Sequence, residues 1–415
     1  MAEQHEKALV PQIRFTGFTD PWEQRKLGEV ARRVTRKNEN GDSDLPLTIS
    51  AQYGLVDQRT FFNSQVASKD MSGYFLLHRG EFAYNKSTST DSPWGAIKRL
   101  EKYDMGCVST LYICFELLSG DPDFLVTYYE TDRWYKSVQL IAAEGARNHG
   151  LLNIAPDDFF ETQICIPKRI DEQRRIGAFF DRLDSLITLH QGKYDKLCVL
   201  KKSMLDKMFP KGGSLYPEIR FAGFTDPWEQ RKLGELASKR IEKNTNGIKE
   251  TFTNSAEHGV VSQLDYFDHD ITNDANIGNY SVVHPDDFIY NPRISAVAPC
   301  GPINRNKLDR NGVMSPLYTF FSVDDTIDTL YLEHYFKTSR WHQFMFLEGN
   351  SGARSDRFSI SDSIFFEMPI QCPVLEEQEL IASFFGRLDS LITLHQRKLE
   401  LLRNIKKSML DKMFV

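Results

Sequence analysis

Apolar residues recur seven apart through two long stretches, one at mid-chain and one at the end. In the first, Ile176, Leu183, His190, Leu197 and Met204 share one heptad position. Phe180, Ile187, Tyr194 and Met208 share the other, with Lys201 as its polar break. In the second, Ile381, Leu388, His395, Leu402 and Met409 are joined by Phe385, Ile392, Leu399 and Met413, with Lys406 as the break. A repeat of this kind, sustained over several heptads, predicts a long coiled-coil helix in each place. Pro167 and Pro373, followed by Asp171 and Glu172 or Glu376 and Glu377, mark the helix starts, and Pro210, Gly212 and Gly213 stop the first helix. The two stripes are expected to bury each other in antiparallel pairing. That arrangement relates the halves by a pseudo-two-fold and brings His190 and His395 to one level, either as tolerated half-buried core residues or as a register-setting polar pair. A helix of about 38 residues is about 57 Å long, a ruler between the globular parts.

The segments between the helices read as mixed, with strands prominent. Leu111–Leu117 and Leu317–Val323 are continuous apolar runs, hence strands. GYFLLHRGEFAYN and NYSVVHPDDFIYN look like hairpins sharing Phe82 with Tyr84-Asn85 and Phe288 with Tyr290-Asn291. FLVTYYETDRWYKSVQLIA and TLYLEHYFKTSRWHQFMFL look helical, and a last strand is expected near Phe159 or Phe365. The run after Asp20-Pro21-Trp22 is readable as a helix start or as a short strand.

These elements occur twice. Ile13–Val30 returns as Ile219–Leu236 with 16 of 18 positions identical, and Ile176–Phe209 returns as Ile381–Phe414 with 24 of 34 identical. The filling between is far less alike, so a constant frame holds two variable parts. The expected fold is α+β: two pseudo-symmetric mixed α/β domains separated by two long helices in an antiparallel coiled coil. The boundaries are 1–170 for the first domain, 171–210 for the first helix, 211–375 for linker and second domain, and 376–415 for the second helix.

Composition narrows the class. A hydrophobic fraction of 41% with 26% charged residues suits soluble globular domains. The opening MAEQHEKALV is too polar for a signal peptide, no run reaches the apolar length of a membrane helix, and the six cysteines form no CxxC pair. A cytoplasmic protein with buried, reduced thiols is expected. A net charge of −6 speaks against a chain that coats nucleic acid unaided, though not against local basic stripes.

Enzyme signatures are missing. There is no GxxxxGK loop, no GxGxxG after a strand, no HExxH and no zinc spacing; Lys211-Gly212-Gly213-Ser214 is a linker after a helix stop. Asn291-Pro292-Arg293-Ile294 is similar to the start of an adenine methyltransferase motif, but its counterpart is Asn85-Lys86-Ser87-Thr88, which points to a structural loop. No catalytic residue, metal site or cofactor is expected in this chain.

Two stretches combine basic residues with side chains that hydrogen-bond base edges. The first carries Lys86, Ser87, Thr88, Trp94, Lys98, Arg99 and Lys102; the second carries Arg293, Asn304, Arg305, Asn306, Lys307 and Arg310. Gly145-Ala146-Arg147-Asn148 and Gly352-Ala353-Arg354 are further polar loops. Any one of these residues is also readable as part of a solvated turn. Residues common to both halves, such as Arg147 and Arg354, cannot select different sequences and are assigned to phosphate or loop support; choice should reside where the halves differ.

With these features in order, the chain resembles a type I restriction-modification specificity subunit. The resemblance rests on WEQRKLGEV and WEQRKLGEL, on Pro167–Gln173 and Pro373–Gln378, and on the Ile-x-x-Phe-Phe-x-Arg-Leu-Asp-Ser-Leu-Ile helices, all duplicated. It implies two target recognition domains, each reading half of a bipartite double-stranded DNA site. It also implies helices that set the unread gap, and a subunit without catalysis of its own. Two modification subunits using S-adenosylmethionine, and through them restriction subunits using ATP, are the partners it implies. A duplicated assembly scaffold, or a stand-alone ligand binder that does not read DNA, is the alternative.

Overall fold

The computed structural model describes residues 9–50, 53–62, 68, 70–90, 92–142, 150–266, 274–351 and 356–415. By compactness the chain divides into two units, residues 1–191 with 397–415 and residues 192–396. The division cuts across both long helices rather than falling at their ends, where the sequence reading placed its segment boundaries. Each unit therefore holds one mixed domain, part of the helix that follows it in sequence and part of the other long helix.

In the first unit the strands are β1 (Glu23–Lys26), β2 (Ala31–Val34), β3 (Leu47–Ser50), β4 (Gly54–Asp57), β5 (Phe75–His78), β6 (Phe82–Asn85), β7 (Ala96–Arg99), β8 (Met105–Val108), β9 (Ile113–Leu117) and β10 (Gln163–Ile166). A four-stranded antiparallel sheet has the order β2-β9-β6-β7, and the pairs β1-β10, β3-β4 and β5-β8 stand beside it. The second unit repeats this plan. Its strands are β11 (Glu229–Lys232), β12 (Ala237–Lys239), β13 (Phe252–Ser255), β14 (Gly259–Ser262), β15 (Ser281–Val283), β16 (Phe288–Tyr290), β17 (Ile303–Arg305), β18 (Gly312–Met314), β19 (Thr319–Val323), β20 (Asn350–Ser351), β21 (Phe358–Ser359) and β22 (Pro369–Cys372). Its four-stranded sheet is β12-β19-β16-β17, with pairs β11-β22, β13-β14, β15-β18 and β20-β21.

Several local expectations are corrected. The expected hairpins do not close on themselves: β5 pairs β8 while β6 pairs β7 and β9, so the Arg79-Gly80 turn sends the chain from one sheet to the other. Phe159 and Phe365 lie in short helices, Pro156–Phe160 and Asp362–Phe365, and the last strand follows each. The long helical stretches each break in two, at Pro122–Tyr128 and Tyr135–Ile141 and at Thr329–Tyr335 and His342–Glu348. Of the two readings left open after Asp20-Pro21-Trp22, the strand holds over β1, and a short helix, Leu27–Val30, follows it.

The heptad stretches form helices Ile170–Lys207 and Leu375–Met413. Within the first unit Phe180 meets Phe414 at 5.9 Å between ring centroids, Lys406 Nζ reaches Asp184 at 2.6 Å, and Arg403 donates to Gln191 at 3.0 Å. Partner numbers fall as numbers rise, so the segments run antiparallel. Within the second unit Phe209 meets Phe385 and Lys201 pairs with Asp389, again antiparallel. The two polar breaks in the heptads are thus interhelical ion pairs at equivalent positions, Lys201–Asp389 and Lys406–Asp184. A lysine at a core position meets a carboxylate in only one register, which is how a polar break specifies pairing. Lys406 also reaches Glu130; burial opposes its charge, but Glu130 and Asp184 outweigh that and raise its pKa.

Ile176, Phe180 and Leu183 are buried with the first sheet, as are Ile381, Phe385 and Leu388 with the second. Leu197 and Leu402 pack more peripherally on these cores, and Ile187, Ile392, His190 and His395 are half-buried. Burial thus follows the helix part nearest each domain. The repeated opening segment braces the same helix parts. Arg14 grips the buried Glu172 through Nε at 2.6 Å and Nη2 at 2.8 Å, and Arg220 grips the buried Glu377 likewise at 2.8 Å for both. Among the described residues no helix is long and apolar enough to cross a membrane.

One buried group distinguishes the second unit. His334, 1% exposed, stands where the first repeat has Thr127, and neither of its ring nitrogens has a hydrogen-bond partner among the described residues. Burial lowers its pKa to about 4; Lys201 and Lys307 add to that, while Glu333 and Asp389 oppose it. The unfolded chain takes up this proton near its ordinary 6.5, so the folded state binds fewer protons between these values. Stability contributed by neutral His334 is therefore full above about pH 6.5 and declines toward pH 4, by about 1 kcal/mol per pH unit. Urea unfolding near neutral and near acid pH, followed by hydrogen exchange in β16 and β19, should show this slope in the wild type and lose it in His334→Thr.

Candidate nucleic-acid interface

The candidate stretches fall on and just after the connection from an inner strand to the edge strand of each four-stranded sheet, β6 to β7 and β16 to β17. Both connections are built alike. Asn85 Oδ1 accepts from the amide of Ser87 and Asn291 Oδ1 from that of Arg293, each at 3.0 Å. A further turn closes between Ser89 and Ser92, and between Ser295 and Ala298. Gly95 (φ +81°) and Gly301 (φ +86°) end the loops in the left-handed region, where any Cβ would overlap the carbonyl oxygen of Asn85 or Asn291. The Asn-Pro-Arg-Ile sequence therefore serves a turn.

The loops are docked on a neighbouring segment. Ser87 bridges to Leu151, Thr88 Oγ1 donates to the Gly150 carbonyl at 3.1 Å, and Arg293 bridges to Arg357. Ser87 and Arg293 are exposed, Thr88 half-buried. Lys86 turns back to the Ile154 carbonyl at 3.4 Å, and burial lowers its pKa. Trp94 packs against the first core, its carbonyl accepting from the Tyr84 hydroxyl at 2.8 Å.

Many of the basic candidates are held by carboxylates of their own unit. Lys98 lies 3.5 Å from Glu130, and Arg99 reaches Glu101 and Asp123, both at 2.6 Å. Arg305 bonds Glu333 at 2.8 Å and also Asp286; Lys307 meets Glu333, and Arg310 meets Glu250 at 3.0 Å. Lys307 and Arg310 stay exposed, whereas Lys98, Arg99 and Arg305 are half-buried. A guanidinium already forked onto two carboxylates offers few donors to a base edge.

Asn304 and Asn306 are corrected outright. They are 3% and 0% exposed, and an inward side chain meets no base. Asn304 Nδ2 donates to Asn254 Oδ1 at 2.6 Å and to the Ser255 carbonyl at 3.0 Å; Asn306 Nδ2 donates to the His284 carbonyl at 2.9 Å. Arg147, Asn148 and Arg354 lie outside the described residues.

Sequence reasoning passed over the β3-β4 and β13-β14 hairpins. Their signal was present: Ser50-Ala51-Gln52-Tyr53-Gly54 returns as Ser255-Ala256-Glu257-His258-Gly259, a constant frame around two changed residues. Each unit also has a groove between a domain and the ends of the helices, about 670 Å³ in the first and 570 Å³ in the second. Lys406, Lys407, Leu410 and Asp411 line one, and Lys201, Lys202, Leu205 and Asp206 line the other.

Residues 225–404 match a family model described as the type I restriction modification DNA specificity domain. The type I restriction-modification S subunit from M. genitalium is 12% identical and superposes with a TM-score of 0.59, over 98% of this chain and 99% of that one, which shows a common fold. An HsdS subunit from Thermoanaerobacter tengcongensis is 17% identical over 95% of this chain and 96% of that one, with a TM-score of 0.45.

Proposed function

We propose that the chain is a DNA-specificity subunit of the type I restriction-modification family and that its two units each read one half of a bipartite double-stranded site. The carrying observation is the duplication: one fold plan twice, with the same braces and the same helix register, around loops whose residues differ. Identical frames present the readers alike, and different tips select different bases. The loops at Ser87-Thr88 and Arg293, with the exposed Lys307 and Arg310, are assigned to the duplex. Lys98, Arg99 and Arg305 contribute through the ion pairs that fix the loop bases.

The chain itself carries no catalysis in this reading. Two modification subunits supply methyl transfer to adenine from S-adenosylmethionine, and restriction subunits joined through them use ATP, in the cytoplasm. Two grooves with equivalent linings at the helix ends support two copies of one partner. The long helices set the gap between half-sites.

The test is an exchange of residues 31–171 for the corresponding part of another such subunit, followed by mapping of methylated adenines. One half of the methylated sequence is expected to change while the other half and the complex persist. An unchanged sequence would overturn the reading, as would adenine methylation by the purified chain alone.

A further inference from the structure

We propose that the tips of the β3-β4 and β13-β14 hairpins read bases, with Glu257 and His258 acting in the second unit and Tyr53 in the first. This rests on the proposed reading of a split DNA site and assigns contacts within it. Three observations carry it.

The first is variation on a fixed frame. Ser255 Oγ accepts from the amides of Glu257 and His258, both at 3.3 Å, and Ser50 Oγ accepts from that of Tyr53 at 3.2 Å. Gly259 (φ +73°) and Gly54 (φ +72°) then turn both chains back in the same left-handed conformation. Between serine and glycine an alanine is shared and the next two side chains differ. Gln52, the counterpart of Glu257, lies outside the described residues.

The second is anchoring. Asn254, 2% exposed, donates through Nδ2 to the Ile289 carbonyl of β16 at 2.7 Å. Its Oδ1 accepts from Asn304, and its carbonyl accepts from Asn291 Nδ2 at 2.9 Å. Asn291 is also the residue that shapes the Arg293 loop. One buried network thus bolts the hairpin and that loop together. Buried amides are costly unless satisfied, and a satisfied network imposes one geometry. A hairpin fixed this firmly under an exposed, variable tip suits a reader that must hold its register on a base pair.

The third is availability. Glu257 and His258 are exposed, and the His258 ring packs edge-on against Tyr266 at 5.6 Å. Tyr53 is 55% exposed, with Lys102 Nζ 5.6 Å above its ring. By contrast, the half-buried Arg305 is held between Glu333 and Asp286 of its own unit. A carboxylate gains nothing from phosphate and recognises the exocyclic amines of cytosine or adenine; imidazole and phenol meet purine edges.

The experiment uses the complex of the full chain with its modification subunits on duplexes randomised across the mapped site, read by adenine methylation. Glu257→Gln and His258→Ala should each lower discrimination about ten- to a hundredfold at one base pair of one half-site. Tyr53→Ala should do so in the other half-site only. Salt dependence should stay unchanged, because no phosphate contact is lost. Variants that keep the wild-type sequence preference at every position would overturn the assignment, as would equal relaxation in both halves. Wild-type methylation that does not depend on this chain would instead defeat the bipartite reading itself. Asn254→Ala, which loosens the frame, should relax several positions of the Glu257 half-site together, and leaving them intact would also count against the proposal.

Discussion

Replacing Phe414 by alanine is expected to destabilise the first unit by about 3–5 kcal/mol, the range for emptying a buried aromatic site. The residue is 3% exposed, with its ring 5.6 Å from Phe124, 5.9 Å from Trp22, 5.9 Å from Phe180 and 6.2 Å from Tyr128. All four belong to the first half of the sequence. A loss of that size lowers the melting temperature of a domain this large by roughly 6–20 °C. Amides of β6 and β9 should lose exchange protection while those of β16 and β19 keep it. Phe209→Ala should do the reverse, because its ring fills the same place among Trp228, Tyr331, Tyr335 and Phe385. Loss of protection in both sheets from either variant would contradict this division of the core.

Arg220→Ala is expected to cost a similar 3–5 kcal/mol in the second unit, because it leaves a carboxylate buried without its partner. Glu377 is 0% exposed and takes both of its described side-chain bonds from Arg220. Arg14→Ala in the first unit should cost less. Glu172 keeps a hydrogen bond from Trp22 Nε1 at 3.3 Å, whereas the matching nitrogen of Trp228 has no partner among the described residues. Adding Glu377→Leu to Arg220→Ala should recover much of the loss, since an apolar replacement of a buried ion pair is often neutral or better. Denaturant unfolding of the four proteins checks the order, and equal losses for Arg14→Ala and Arg220→Ala would contradict the role given to Trp22.

Periodicity made the helices legible because a heptad seam is written in every turn. Strand positions were legible where runs were apolar, as at Phe115 and Phe321. Strand partners were not: β5 and β6 adjoin in sequence, yet join different sheets because their partners are β8 and β9. The candidate site was legible in outline only. Composition marked the stretches around the β6-β7 and β16-β17 connections as polar and basic, but composition does not say which way a side chain faces. Asn304 and Asn306 turned inward to satisfy backbone carbonyls, and Arg305 was taken by Glu333, a residue of a helix 28 positions away. The hairpin tips escaped notice because their frame is only three residues, Ser, Ala and Gly.

What the amino-acid order alone determined is the duplication, the two heptad helices and the separation of constant frame from variable filling. These are local or periodic properties, carried by residue type at fixed spacing. Only the tertiary structure decided that each unit takes helix from both repeats, that Lys201 and Lys406 find Asp389 and Asp184, and that the last residues of the chain complete the first core. It also decided which polar side chains are exposed and which turn inward. Pairings between residues hundreds of positions apart depend on burial and charge balance in three dimensions, which no single stretch of sequence contains.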